Sequence, residues 1–183
     1  MPAKLGRPTE LTRTKIYNGR IFDVARAKLR FRNGKNATHE LVIHQGAAVF
    51  APIPAPGRIL LIRQYRHACG GHIWEIPAGR MERGEHPLAT AKRELAEECG
   101  LAAKKWRKAC AFYPAPGYTT EIMHLYFAYH LHKDTTGAEK DDDEEIVMKE
   151  FSVKELDNMI KAGKIIDGKT IVAAMYLKLG FAR

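Results

Sequence analysis

Glu94, Glu97 and Glu98 stand at i, i+3 and i+4 in the stretch Arg93-Glu94-Leu95-Ala96-Glu97-Glu98-Cys99-Gly100-Leu101. On a helix this spacing puts three carboxylates on one face, within a turn of each other. Like charges so crowded repel, at about 0.2–0.5 kcal/mol per pair on a bare helix. Something cationic must offset that cost. Hard divalent ions with oxygen ligands do so, and Mg²⁺ held by a few carboxylates together with substrate phosphates is the usual arrangement. An isolated run of glutamates is more often a solvated helix face, so the surrounding residues decide. Arg93, four residues before Glu97, is placed to orient it. Leu88, Leu95 and Leu101 would anchor the opposite side in a core. Gly79 would let the backbone turn tightly, leaving the Ala78 carbonyl to point at a metal.

The elements that must carry these residues follow from periodicity and turn chemistry. Pro87 suits the first turn of a helix running to Glu98, and Gly100 suits the left-handed position after its end. Ile21 to Phe31 and Thr38 to His44 read as two strands joined at Asn33-Gly34, a strong hairpin turn. This N-terminal hairpin is too short for a core of its own. Ala47 to Ile53 and Arg58 to Tyr65 are apolar strands separated by Ala55-Pro56-Gly57. Further strands are expected near Lys108 to Tyr113, Glu121 to His130 and Ile146 to Phe151, with an acidic loop from about Lys133 to Glu145. Ser152-Val153-Lys154-Glu155 is a capping-box signature opening a helix to about Lys161. A last helix is expected over Thr170 to Leu179. The succession predicts a mixed sheet flanked by helices, an α/β class, with residues 1–45 as an appendage and 46–183 as the main domain.

Composition sets outer bounds. A chain of 183 residues with 45% apolar and 28% charged residues is ordinary for one soluble domain. No apolar run approaches the roughly 18 residues of a membrane span, and Met1 to Arg7 lack the apolar stretch of a secretory signal. Cys69, Cys99 and Cys110 form no C-x-x-C pair, which argues against structural zinc and for a reduced, cytoplasmic setting. They read as small packing residues rather than nucleophiles. His44, His67, His72 and His86 show no metal-ligand spacing. The formal charge of +9 raises nucleic-acid binding as a possibility. The acid clusters at Glu94 to Glu98 and Glu139 to Glu145 weigh against it, because a basic surface around acid clusters also suits steering a polyphosphate to bound metal.

The stretch from Gly79 to Leu101 resembles the Nudix box, G-x5-E-x7-R-E-U-x-E-E-x-G-U with U aliphatic, and departs from it nowhere. The resemblance implies an α/β/α sandwich with a mixed sheet and a loop-helix-loop catalytic segment. It implies that Glu94 and Glu98 are the principal metal ligands, with Glu97 as a further ligand and the Ala78 carbonyl as the backbone ligand. Gly79 and Gly100 would be structural, Arg93 would orient the carboxylates, and Glu85 would buttress the loop. The implied reaction is attack of water on one phosphorus of a nucleoside diphosphate derivative. Two or three ions, Mg²⁺ or alternatively Mn²⁺, would activate the water and neutralise the leaving phosphate.

Flanking residues resemble the ADP-ribose pyrophosphatase branch of that family: Gly46 to Val49, Leu61 to Arg66, Trp74 to Gly79, and Tyr113 to Gly117, with Pro116 about where the branch carries a marker proline. Tyr17 to Phe22 and the following hairpin resemble the branch's dimerisation region, which implies a homodimer. On this resemblance Arg66 contacts the substrate diphosphate, a task suited to a bidentate guanidinium; the plainer reading is a surface arginine. Phe22 or a neighbour would stack on the base from the partner subunit, unless it is an ordinary core residue. Glu144, with Asp142 and Glu145 close behind, matches the position of a catalytic base or extra ligand, although most charges of that loop must simply be solvated.

Three functions compete. The leading one is hydrolysis of a nucleoside diphosphate sugar, ADP-ribose first and GDP-mannose next. A second is a housecleaning or RNA 5′-end pyrophosphohydrolase, and a third is a non-catalytic nucleotide sensor. The intact glutamates argue against the sensor, since binding alone would not need them all.

Overall fold

The structure is a computed structural model and describes residues 6–137 and 145–181. In chain order its elements are β1 (Thr9–Asn18), β2 (Asp23–Arg30), β3 (Asn36–Ile43), β4 (Ala47–Ile53), β5 (Arg58–Arg66), β6 (Gly71–Glu75) and β7 (Ala78–Arg80). There follow α1 (Pro87–Cys99), β8 (Leu101–Phe112), β9 (Met123–Lys133), β10 (Val147–Ser152), α2 (Val153–Lys161) and α3 (Gly168–Tyr176). A mixed sheet has the order β7-β4-β9-β8, in which only β4 and β9 run parallel. Beside it lies an antiparallel sheet of order β10-β5-β6, and β1-β2-β3 form a separate antiparallel sheet.

β4 is the centre of the molecule, and all seven of its residues are buried. A strand covered on both faces carries a continuous apolar run, and the two-residue period divides its side chains between two cores. Val49, Ala51 and Ile53 join Leu125, Phe127, Leu156, Ala173 and Leu177 on the α2/α3 side. Ala48 and Phe50 join Ala91, Leu95, Cys99 and Tyr126 on the α1 side. Helices therefore cover both faces of the sheet, the α/β architecture expected. Full burial of a side chain such as Leu95 contributes roughly 1.5–3 kcal/mol, which presses α1 onto β4.

The N-terminal region differs from the expected hairpin. It is a three-stranded sheet, because β1 pairs along β2 from Thr9↔Arg30 to Asn18↔Asp23. All ten residues of β1 are exposed, so the strand buries no face and leaves no apolar period to read. β8 also begins at Leu101, earlier than expected, since Lys104 and Lys105 interrupt its apolar pattern while the ladder with β9 continues through them. The N-terminal sheet is tied to the rest of the chain at β3: Val42 N–H donates to the Tyr118 carbonyl (2.8 Å), and Thr120 N–H donates to that of Val42 (3.0 Å). Among the described residues, no helix is long and apolar enough to cross a membrane.

Candidate active site

α1 is built from strong helix formers, with Pro87 in its first turn and His86 as N-cap, whose Nδ1 accepts from Leu88 N–H at 3.2 Å. Gly100 ends it at φ 63°, ψ 26°, and its N–H donates to the Ala96 carbonyl at 2.8 Å. Thr90, Ala91, Leu95 and Cys99 are buried on the inner side of the helix. The three glutamates differ in depth: Glu98 is only 3% exposed, while the Glu94 and Glu97 side chains are 15% and 32% exposed.

One guanidinium gathers the carboxylates. Arg93 Nη1 donates to Glu94 Oε1 at 2.7 Å and to Glu97 Oε2 at 2.8 Å. Its Nε and Nη2 reach Glu85 Oε1 and Oε2, each at 3.4 Å, and Nη2 also reaches the Arg80 carbonyl at 3.4 Å. Burial works against the arginine's charge, but the Glu85 hydrogen bond and the nearby Glu94 and Glu97 carboxylates outweigh it and raise its pKa. Burial likewise works to raise the Glu85 pKa, and the Glu82 N–H and Arg93 overcome it, holding the carboxyl below its ordinary value.

Gly79 has a different reason from the one the sequence suggested. It sits inside β7, paired with Ala48, and its backbone makes no left-handed turn. A Cβ there would lie 1.9 Å from Glu94 Cδ and 2.1 Å from Glu94 Oε1. The glycine is a seat for the Glu94 carboxylate.

Facing this seat is a cleft of about 180 Å³ whose lining includes His44, Arg66, Ala78, Gly79, Glu121 and Lys169. Arg66 Nε donates to Glu75 Oε1 at 2.8 Å. Burial opposes the Arg66 charge, while Glu75, and more distantly Glu98 and Asp167, raise its pKa. A larger cavity of about 380 Å³ lies between α1 and the start of β8, lined by Lys92, Arg93, Ala96 and Trp106 among others. It includes none of Glu94, Glu98 or Arg66, so volume alone does not locate the chemistry.

The remaining expected residues fall outside the cleft. Phe22 is exposed in the turn between β1 and β2, its ring centroid 6.4 Å from that of Tyr17. That turn is fastened to β7, since Arg80 Nη1 donates to the Arg20 carbonyl at 2.7 Å. Pro116 is exposed in the loop that carries Tyr118 to β3. Glu144 and Asp142 lie outside the described residues, and Glu145 borders a separate depression with Arg63 and His72. Sequence reasoning gave no role to Glu75, Lys169, His44 or Glu121. Glu75, a charge within the apolar run Trp74 to Pro77, carried a usable signal of a buried polar group.

Among the described residues no group of three or more His, Cys, Asp and Glu side chains is gathered as a ready-made metal site; Glu94 and Glu97 are instead turned to Arg93. The donor set nonetheless suits a hard cation. It offers oxygen ligands from one helix turn, one of them on a carboxylate 3% exposed, whose burial demands compensating positive charge.

A family model described as NUDIX domain matches residues 42–173. The chain is 35% identical over 169 residues to an ADP-ribose pyrophosphatase of Bacillus subtilis (strain 168), covering 92% of this chain and 91% of that protein. It is 35% identical over 176 residues to the Methanol dehydrogenase activator of Bacillus methanolicus, covering 96% and 95%. A GDP-mannose pyrophosphatase of Salmonella paratyphi B is 30% identical over 157 residues, covering 80% and 82%. The fold matches a solved structure titled "Crystal structure of ADP compounds hydrolase" with a TM-score of 0.84 at 22% identity, over 98% of this chain and 99% of that one. The chain belongs to the NUDIX family. Within that family it is a pyrophosphatase, a hydrolase of phosphoric anhydride bonds.

Proposed function

We propose that the chain hydrolyses ADP-ribose to AMP and ribose 5-phosphate in a Mg²⁺-dependent reaction. The observation that carries this reading is the Glu94 and Glu97 carboxylates held by Arg93, with Glu94 packed on Gly79, a residue that lines the same cleft as Arg66. Similarity to ADP-ribose pyrophosphatases over nine-tenths of the chain supports the substrate.

Glu94 and Glu98, with Glu97 and the Ala78 carbonyl, would hold two or three ions of Mg²⁺ or Mn²⁺. Bound there, the ions would supply Lewis acidity, lowering the pKa of water and neutralising charge on phosphate oxygens. Arg93 keeps like-charged carboxylates together until the cations arrive. Arg66 binds the diphosphate through its guanidinium. Glu144 takes the proton from the attacking water, whose oxygen bonds to one phosphorus as the bridging P–O bond breaks. Phe22 stacks on the base from the partner subunit, and Pro116 contributes to substrate binding.

In this reading residues 1–45 serve pairing between two copies and 46–183 carry the chemistry. Leu11, Ile16, Tyr17, Ile21, Phe22 and Phe31 are exposed in the N-terminal region and would be covered in a homodimer. Three free cysteines fit a reduced cytoplasmic setting. GDP-mannose is the second reading, favoured by the similarity to GDP-mannose pyrophosphatases.

The test is a panel with Mg²⁺ or Mn²⁺ present: ADP-ribose, GDP-mannose, UDP-glucose, NADH, a nucleoside triphosphate and 5′-triphosphate RNA. ADP-ribose is expected to turn over fastest. Turnover of RNA alone, or of GDP-mannose ahead of ADP-ribose, would overturn the substrate. Glu98→Gln is expected to lose roughly 10²-fold or more in kcat. Full activity in that variant would end the metal assignment.

A further inference from the structure

Behind Arg66 in the cleft lining runs an alternating chain of charges, Glu75, Lys169 and Asp167, that the reaction outlined above does not use. Glu75 is 1% exposed and Lys169 is 8% exposed. Glu75 Oε1 accepts from Arg66 Nε at 2.8 Å, and Glu75 Oε2 accepts a short hydrogen bond from Lys169 Nζ. Lys169 Nζ also donates to Asp167 Oδ1 at 3.0 Å. Asp167 Oδ2 accepts from Thr170 N–H at 3.0 Å and from the Thr170 hydroxyl at 2.5 Å. The Thr170 oxygen in turn accepts the Ile76 N–H at 2.8 Å. The start of α3 thus grips two successive residues of the segment that leads into Ala78 and Gly79, by the Glu75 side chain and by the Ile76 backbone.

We infer that Lys169 is a positioning residue, which acts through Glu75 to fix the Arg66 guanidinium for a substrate diphosphate. Buried ion pairs are poor sources of net stability, because desolvation offsets most of their attraction. A buried lysine and glutamate, joined to a partly exposed aspartate, therefore call for another benefit. Their arrangement provides one. Lys169 satisfies the Glu75 oxygen that Arg66 does not reach, so the carboxylate is held in one rotamer. A fixed carboxylate holds Arg66 by Nε, and its remaining guanidinium nitrogens are then oriented before substrate arrives, which lowers the entropic cost of binding. Arg66 itself is partly exposed, with a side chain 40% accessible, and needs such a hold.

This inference rests on the reading of Arg66 as a diphosphate contact, and its test is arranged to separate the two. The probe is ADP in the absence of added metal, titrated by calorimetry into the full chain, so no turnover is required. Wild type is expected to bind ADP. Arg66→Ala is expected to weaken it by about tenfold or more, as loss of a charged hydrogen-bonding partner does; unchanged affinity there would sink the Arg66 reading itself. Lys169→Met is expected to weaken ADP by about tenfold, and Lys169→Arg to recover part of the loss. In the Arg66→Ala background, Lys169→Met is expected to add less than about twofold, because coupled residues are not additive. A full additive loss would show that Lys169 touches the ligand directly and would overturn the inference, as would wild-type affinity in Lys169→Met. Should Lys169→Met melt below the assay temperature, the paired Glu75→Gln, Lys169→Met variant removes both buried charges. It is expected to fold and to show the same weakened ADP binding, and full affinity in it would overturn the inference. With whichever nucleotide substrate the wild type turns over, Lys169→Met is expected to raise KM by about tenfold while kcat changes less, the pattern of lost uniform binding.

Discussion

At the scale of single residues, the division of labour around Glu94 is sharper than its spacing implied. Three carboxylates at helical spacing are local information, readable wherever a helix is read, and Arg93 beside them completes the pattern. The sequence reading of Gly79 as a tight turn missed its contact with Glu94, because the approach of a side chain from another element has no local signature. The corrected cause makes a specific prediction. In Gly79→Ala the new methyl would meet Glu94 Cγ at 2.0 Å, and the flexible end of Glu94 must swing away. Stability should fall by only about 1 kcal/mol, whereas Mg²⁺-supported kcat should fall on the order of 10²-fold, the effect of misplacing a catalytic group by about an ångström. Thermal melting alongside kcat checks this, and an active Gly79→Ala variant would refute the seat for Glu94.

At the scale of elements, boundaries marked by side-chain chemistry were legible and those marked only by backbone pairing were not. Pro87 and Gly100 bound α1, and the reciprocal Ser152–Glu155 capping box opens α2. β1 was missed because it is exposed along its whole length and shows no period. Gly100 tests the helix end in isolation from the chemistry. No atom lies within 4 Å of a Cβ placed there, and φ is +63°, so the cost of Gly100→Ala is left-handed strain alone. Denaturant unfolding should show a loss of about 1–2 kcal/mol, with Gly100→Asn recovering part of it since asparagine tolerates that conformation better. Activity per folded molecule should stay near wild type. A stability unchanged by Gly100→Ala would remove the capping argument.

At the scale of the whole molecule, the N-terminal sheet exposes Ile16, Tyr17 and Ile21 by 51–56%, and a second copy is the proposed cover. Light scattering on the eluting protein at micromolar concentration should give twice the chain mass, and the triple change Ile16→Glu, Tyr17→Glu, Ile21→Glu should give a monomer, as buried charges without partners are costly. A monomeric wild type would discard the homodimer. By itself the sequence determined the α/β class, the helix α1 with its ends, and the spacing of three glutamates beside an arginine, since each depends on residues a few positions apart whose periodicity or capping chemistry is local. Only the tertiary structure decided that Glu94 rests on Gly79 and that Gly79 and Arg66 line one cleft. It alone also showed that Lys169 reaches Glu75 across 94 residues of chain. Those contacts arise when β4 buries both faces and brings distant segments together, and no spacing along the chain encodes that meeting.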